Sequence, residues 1–203
     1  MPRARYRCGV LTDPAAIAAA KRLQGRAHLR YGHLPREALT AEGWLPWHDR
    51  AGGAPARWFG ARSAGGRLVA VATKIARGGD GVVEASGAAK AAGTPPEVTL
   101  GLYRAMYHDS VDRGERLWVM NVVPPVRATL ERFLEGGIVV SPAVVRARDL
   151  HPSVLPGVVV HPASGLVDGF TTRIRAAGDA AQDLSRRDLL YGVAAFFDDR
   201  PGR

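Results

Sequence analysis

The sequence is poor in cysteine: Cys8 is the one thiol among 203 residues. A single cysteine cannot close an internal disulfide bond, and it cannot build a cysteine metal cluster. The six histidines offer no substitute, because no two are spaced i, i+4 and none stands beside a second ligand type at metal-like spacing. We therefore expect no bound metal.

Long apolar runs are also missing. No stretch approaches the roughly 18 apolar residues that a membrane-spanning helix needs. The opening MPRARYRCGV has no apolar block of the kind found in signal peptides. We expect a cytoplasmic protein without a membrane span. The 203 residues, 46% hydrophobic and 23% charged, suit a single globular domain with a sizeable core.

Acidic residues are few compared with basic ones. The chain has 19 Asp and Glu against 28 Lys and Arg, which gives a formal net charge of +9 and a pI near 10.5. Such a balance attracts anionic partners, whether nucleic acid, a nucleotide cofactor or an acidic carrier protein. A general bias towards Ala, Gly and Arg explains the same excess, so charge alone does not choose a partner.

Apolar periodicity and turn signals predict strands that alternate with helices. Asp13 followed by Pro14 is typical of a helix start, and the helix that they open runs to about Tyr31. Two apolar runs around Ala64, Gly65 and Gly66 indicate a hairpin, and a third strand follows it. The order of strand, helices, three-strand meander, helix, strand, helix and further strands predicts an α/β fold with a mixed sheet.

Two later helices carry the spacing of a capping box. Thr94 and Glu97 stand three residues apart, with Pro95 at the expected first helical position. Ser185 and Asp188 repeat the spacing before an apolar terminal stretch. We therefore expect Thr94 and Ser185 to cap the two helices.

The stretch VVEASGAAK, residues 82–90, has the small apolar composition of a buried strand but carries Glu84 and Ser86. Side chains alternate along a strand, so these two residues share one face. Burial raises the pKa of a carboxyl group, which suits it to accept a proton from an amine. A structural glutamate paired with Arg or Lys fits the same pattern. The surrounding small residues either let a ligand approach the strand or fill a dense core.

Three stretches, taken in order, carry a family likeness. In the first, WHDRAGGAPARWFGARSAGGRLVAVATKI, Asp49 precedes two strands that end in FGA and in the basic residue Lys74. The second, EASGAAK, is similar to a Glu-x-Ser-Arg strand. The third, LYRAMYHDSVDRGERLWVMNVVPPVRATLERFLEGGI, continues with helix, strand and helix. Over about residues 5 to 145 the chain resembles the GNAT superfamily of acyl-CoA N-acyltransferases. The branch it resembles most contains autoinducer synthases and long-chain N-acyl amino acid synthases.

The resemblance implies both a fold and an activity. The fold is an α/β domain with a mixed, mostly antiparallel central sheet flanked by helices. Residues 1–150 form the acyltransferase core, and residues 151–203 form a strand and helix extension that packs on the same domain. The activity is N-acyl transfer from an acyl thioester, on coenzyme A or an acyl carrier protein, to the amine of a small molecule such as an amino acid. An acidic acyl carrier protein is then a partner, and nucleic acid is not expected.

The resemblance also implies residue roles near the amine. Glu84 matches the proposed amine-activating base, and Ser86 lies beside it on the strand. Asp49 and Lys74 match an acid and a base that help to bind the amine substrate in that branch, although a structural ion pair between them is equally consistent. Trp47 is a candidate lining residue of an apolar substrate site or an ordinary core residue.

In the family the pantetheine arm of the donor lies between the fourth and fifth strands. The resemblance therefore implies donor contacts along the fourth strand, in the loop after it, on the next helix and on the fifth strand. The expected cofactor-binding residues are Ala88, Lys90, Gly93, Thr94, Arg104 and Asn121.

Several positions depart from the family pattern. KAAGTP replaces the family's glycine-rich phosphate loop, and Pro95 and Pro96 remove backbone N–H donors where a helix start would bind phosphate. Gly87 stands where the branch has Arg, and Phe133 stands where many members have a thiolate-protonating Tyr. These departures favour an alternative hypothesis, a catalytically eroded GNAT-fold module that binds an anionic partner through its basic surface.

Overall fold

The computed structural model describes residues 6–45, 56–77 and 80–200. The helices and strands follow one another as β1 Tyr6–Leu11, α1 Pro14–Arg30, β2 Arg57–Ser63, β3 Leu68–Ala76, β4 Val82–Lys90, α2 Glu97–Asp112, β5 Leu117–Val122, α3 Pro124–Phe133, β6 Val139–Val140, β7 Val145–Arg146, α4 Ala147–Leu150, β8 Val159–Leu166, α5 Phe170–Ala180 and α6 Leu184–Asp198. A short 3₁₀ turn spans Arg36–Ala38.

The chain divides into two compact units. The first contains the described residues up to Arg77, together with Glu84–Met106 and Arg146–Val158. The second contains Tyr107–Val145 and the described residues from Val159 onward, together with a short piece before Glu84. The predicted boundary at residue 150 remains a prediction.

The first unit is built on β1, β2, β3 and most of β4, which lie side by side in that order. β1 and β2 are antiparallel, with Leu11 opposite Trp58, and β2 and β3 are antiparallel, with Trp58 opposite Thr73. The turn between β2 and β3 contains Gly66 at φ +78, a conformation that glycine adopts without strain. The predicted hairpin is therefore confirmed.

Helix α1 covers one face of these strands. Asp13 caps it as predicted, because its Oδ2 accepts a hydrogen bond of 2.8 Å from the Ala16 N–H, and Pro14 occupies the first turn. The helix packs its apolar stripe against the strands. The buried cluster consists of Leu11, Ala16, Ala20, Leu23, Ala27, Trp58, Val71 and Ala89.

The second unit has β8 in the middle of a three-strand group. β5 pairs with β8 in antiparallel register from Leu117 opposite Leu166 to Val122 opposite His161, and β6 pairs antiparallel with the other edge of β8. Its helices α5 and α6 pack on an aromatic core. Rings in that core lie 5.1 to 6.2 Å apart and belong to Tyr107, Trp118, Phe170 and Phe197.

Both predicted capping boxes are wrong in detail. Helix α2 begins at Glu97, after Pro95 and Pro96, and the Thr94 hydroxyl donates to the carbonyl of Val69 at 3.4 Å. Helix α6 begins before Ser185, and Asp183 caps it by accepting from the Ser185 N–H at 3.0 Å. In the first case the predicted cap bonds a carbonyl outside the helix, and in the second a different side chain caps the helix. A rule based on spacing alone does not predict either competing hydrogen bond.

The predicted α/β class, with mostly antiparallel strands and flanking helices, is confirmed. Within the described ranges, no helix is long and apolar enough to cross a membrane. The same residues contain no cluster of three or more His, Cys, Asp or Glu arranged to hold a metal ion.

Candidate functional site

Glu84 lies on β4 between the buried residues Val83 and Ala85, and its own side chain is 18% exposed. The Arg77 guanidinium binds its Oε2 twice, through Nε at 2.7 Å and through a shorter contact from Nη2. The ion pair that the structural interpretation of Glu84 required is therefore present. Arg77 itself is half exposed, so solvent screens the pair and it adds little to stability.

The pairing uses one oxygen of the carboxylate. Both Arg77 donors bind Oε2, so the ion pair does not engage Oε1 of Glu84. An ionised carboxylate has acceptor capacity on both oxygens. Oε1 can therefore accept a hydrogen bond or a proton from a bound amine while Arg77 holds the carboxylate in place.

His151 lies close enough to this ion pair for both charges to act on its ring. Burial lowers the pKa of His151, the negative charge of Glu84 opposes that effect, and the positive charge of Arg77 adds to it. No short sequence motif connects His151 to Glu84, so His151 was not among the predicted site residues.

Backbone hydrogen bonds hold the segment that carries His151. The Ala147 N–H donates to the Val158 carbonyl at 2.9 Å, and this bond closes the segment into a loop. Within the loop, the Val154 N–H donates to the His151 carbonyl at 2.8 Å. The Leu155 N–H reaches the His33 carbonyl at 2.9 Å, which ties this loop to the residues after α1. His151 is thus held on the same compact unit as Glu84.

The middle of β4 is held by side chains from its neighbours. The Ser86 carbonyl accepts from the Thr73 hydroxyl at 3.0 Å, and the Gly87 carbonyl accepts from the side-chain amide of Gln24. Gly87 has φ +61, so the strand is locally distorted at the position where the resembled branch has Arg. Gln24 is fully buried in the apolar stripe of α1, and this misplaced polar residue was a signal that the sequence analysis missed.

Lys74, a predicted substrate-binding residue, is only 2% exposed. Its Nζ lies 3.5 Å from the carbonyl oxygen of Met106 and 5.5 Å from the ring centroid of Phe59. The other two predicted substrate-binding residues, Asp49 and Trp47, lie outside the described residues. The role of all three in binding the amine stays a prediction.

The predicted donor-binding loop is tied down from two directions. The Ala91 N–H donates to the Val69 carbonyl at 2.8 Å, and the Arg30 guanidinium donates to the Lys90 carbonyl at 2.8 Å. Ala88 and Gly93 are exposed, with Gly93 at φ +72. These positions lie together at the end of β4, as expected, whereas Thr94 is buried and its hydroxyl bonds within the protein.

The remaining two predicted donor contacts lie elsewhere. Arg104, on α2, is close enough to Cys8 of β1 to influence its thiol. Asn121 is exposed on β5, which belongs to the second unit. Their part in donor binding stays a prediction.

The first turn of α2 uses its N–H groups internally. The Val98 N–H donates to the Pro95 carbonyl at 3.2 Å, and the Thr99 N–H donates to the Pro96 carbonyl at 2.9 Å. The two prolines have no N–H of their own. This helix start therefore offers fewer backbone donors to a phosphate than an ordinary one.

The strand order, the distorted fourth strand and the helix that follows it define the GNAT class of fold, which the sequence resemblance implied. No protein-family model matches the sequence, and a search of curated proteins finds no match.

Particular solved structures share this fold at low identity. FeeM, an N-acyl amino acid synthase from uncultured soil microbes, matches with a TM-score of 0.62 at 16% identity over 83% of this chain and 94% of FeeM. yncA from Salmonella typhimurium, solved with its cofactor acetyl-CoA, matches with a TM-score of 0.60 at 15% identity over 81% of this chain and 95% of yncA. TofI, solved in a ternary complex with an inhibitor and MTA, matches with a TM-score of 0.59 at 16% identity over 94% of this chain and 100% of TofI.

Proposed function

We propose that this protein is an N-acyltransferase that moves an acyl group from a thioester to the amine of a small molecule. The observation that carries the proposal is Glu84, a largely buried carboxylate on the fourth strand of a GNAT fold, which Arg77 holds through Oε2 and not through Oε1. The similarity to an N-acyl amino acid synthase supports an amino acid as acceptor. The donor is acyl-CoA or an acyl carrier protein, and the similarity to a structure with acetyl-CoA supports the former.

In this mechanism Glu84 Oε1 takes a proton from the acceptor's ammonium group, directly or through water. The free amine attacks the thioester carbonyl carbon, and backbone N–H groups stabilise the oxyanion that forms. The tetrahedral intermediate collapses as its C–S bond breaks. The thiolate takes up one of the two protons that the ammonium loses, and the other is released to solvent.

The test is thiol release from a panel of acyl thioesters and amines, measured with a thiol-reactive dye. Glu84→Gln keeps the size of the side chain but cannot take the proton, so kcat/KM should fall by about 10²- to 10⁴-fold. Glu131→Gln is the matched control, because Glu131 is also paired with an arginine, Arg127, on an exposed helix surface. Equal rates for wild type and Glu84→Gln would contradict the role of Glu84.

A second candidate function is a GNAT-fold binding module without catalysis. It is favoured by the first turn of α2, where Pro95 and Pro96 lack N–H groups and their carbonyls engage Val98 and Thr99. The net charge of +9 would then attract an anionic partner. Binding of that partner would weaken steeply with salt, and thioesters would not stabilise the protein.

A further inference from the structure

The amide of Gln24 is a polar group in the apolar stripe of α1, and the reaction proposed above does not yet use it. The side chain is fully buried, and its Nε2 donates a hydrogen bond to the Gly87 carbonyl on β4. Because a carbonyl only accepts, the NH₂ group of the amide must face Gly87 and Oε1 must face elsewhere. Within the described ranges no residue donates a hydrogen bond to that Oε1. A buried acceptor without a donor lowers stability, which indicates a role for Gln24 other than stabilising the core.

A second buried side chain holds the neighbouring carbonyl of β4. The Thr73 hydroxyl donates to the Ser86 carbonyl at 3.0 Å. Thr73 lies opposite Trp58, which packs in the cluster with α1, so its side chain is on the sheet face that α1 covers. Successive carbonyls of a regular strand point to opposite sides. Here both are bound by side chains on one face, and Gly87, at φ +61, turns the chain between them.

The same two hydrogen bonds orient two backbone N–H groups. In a planar trans peptide the N–H points opposite to the C=O. The Gly87 N–H therefore points away from the Thr73 hydroxyl, and the Ala88 N–H points away from the Gln24 amide. Successive N–H groups that point to one side bind a negatively charged oxygen. Ala88 is exposed, so a ligand can approach this peptide.

Resting on the acyl-transfer function proposed above, we propose that Gln24 is a positioning residue of the reaction. Its amide fixes the Gly87–Ala88 peptide so that the Ala88 N–H, together with the Gly87 N–H, faces the thioester carbonyl oxygen. That oxygen becomes negatively charged when the amine attacks. Donors held in place beforehand stabilise the charge without reorganising during the reaction.

The kinetic test compares Gln24→Met with Leu23→Ala in the thiol-release assay. Methionine has a similar length to glutamine but donates no hydrogen bond, so kcat should fall by at least about tenfold. KM for the thioester should stay within about twofold, because the negative oxygen exists only in the transition state and the intermediate. Leu23→Ala is the matched control, because it destabilises the same buried face of α1 without touching a β4 carbonyl, and its kcat should stay near that of the wild type.

A second pair of variants tests the neighbouring carbonyl. Thr73→Val keeps the shape of the side chain and removes the hydroxyl, so it should also lower kcat with little change in KM. Thr73→Ser keeps the hydroxyl and should restore most of the rate, an effect that a role in packing would not produce. Wild-type kcat in both Gln24→Met and Thr73→Val would overturn the proposal while leaving acyl transfer intact. Thiol release by none of the proteins, wild type included, would instead overturn acyl transfer itself.

An activity-independent test is the ¹³C chemical shift of the Gly87 carbonyl, measured by NMR. Loss of a donated hydrogen bond moves a carbonyl resonance upfield, so Gln24→Met should move the Gly87 signal and Leu23→Ala should leave it near its wild-type position. The Ala88 amide signal should move with it, because the two groups belong to one peptide. An unchanged Gly87 signal in Gln24→Met would overturn the proposal, whether or not the protein releases thiol.

Discussion

At the residue scale, burial opposes ionisation at several side chains of the first unit. Burial raises the pKa of Tyr103 to about 12 and that of Cys8 to about 11, the latter against a smaller lowering by Arg104. Burial lowers the pKa of His33 and of His151. Because each of these pKa values differs between the folded and the unfolded chain, each group makes the free energy of unfolding depend on pH in a definite direction.

Tyr103 makes the fold sensitive to alkali. In the unfolded chain its phenol ionises near pH 10, whereas in the folded protein it stays protonated until about pH 12. Stability is therefore complete below pH 10 and is lost as pH rises to 12, by up to about 3 kcal/mol for the single group. Tyr103→Phe should remove this loss in urea unfolding measured at pH 8 to 11. The exposed Tyr31→Phe should keep it, and an identical alkaline loss in Tyr103→Phe would contradict the assignment.

Glu84 shows how far residue-level reasoning reaches from sequence. Strand alternation identified it as an acid among apolar neighbours, and the arginine pairing that the structural interpretation required is present. Its role as the amine-activating base stays a prediction. Its partner Arg77 was not identified, because the two residues meet only when β3 and β4 lie side by side. Lys74 was identified by likeness, but its near-complete burial was not foreseen.

At the element scale, α2 meets β1 through a close contact between Gly101 and Cys8. A Cβ added at Gly101 would lie 2.8 Å from the Cys8 Sγ, closer than such atoms pack. The absence of a side chain on Gly101 thus allows the helix to approach the strand.

Gly101→Ala should lower the free energy of unfolding by about 1–3 kcal/mol, because the added methyl overpacks this contact. Cys8→Ala removes the sulfur, so Gly101→Ala should cost much less in that background, as measured by a double-mutant cycle. Gly192→Ala on α6 is the control, because a Cβ there meets nothing within 4 Å. An equal cost in both backgrounds would place the strain outside the Gly101–Cys8 contact.

Element starts illustrate why some predictions from sequence were confirmed and others wrong. Asp13 caps α1 as predicted, because its partner, the Ala16 N–H, is only three residues away. Thr94 has the same local signal, yet its hydroxyl bonds Val69 on a strand distant in sequence. Ser185 was predicted to cap α6, but Asp183, two residues earlier, is the cap and accepts a hydrogen bond from the Ser185 N–H.

At the scale of the whole molecule, the GNAT fold and the net charge of +9 bear on which ligand the protein takes. A ligand that binds only the folded state raises the thermal midpoint by mass action. If the protein binds acyl thioesters, acyl-CoA at 100 times its Kd should stabilise it by about 2.7 kcal/mol, and free coenzyme A should do less.

The measurement is thermal unfolding against acyl-CoA of increasing chain length, with an acyl carrier protein in parallel. A rise that depends on chain length would identify the acyl group, and a carrier-protein effect that falls with salt would indicate docking to the basic surface. No rise with any thioester, combined with salt-sensitive binding of another anion, would favour the binding-module function.

The sequence by itself determined the order of strands and helices as far as α3, the α/β class and the position of Glu84, but it did not predict helix α5. These features depend on alternation, turn residues and caps, which act between neighbours in the chain. The tertiary structure alone decided that Gln24 holds Gly87 and that Lys74 is buried beside the Met106 carbonyl. Such contacts join residues far apart in the chain, and only packing selects them from the many pairings that the same composition allows.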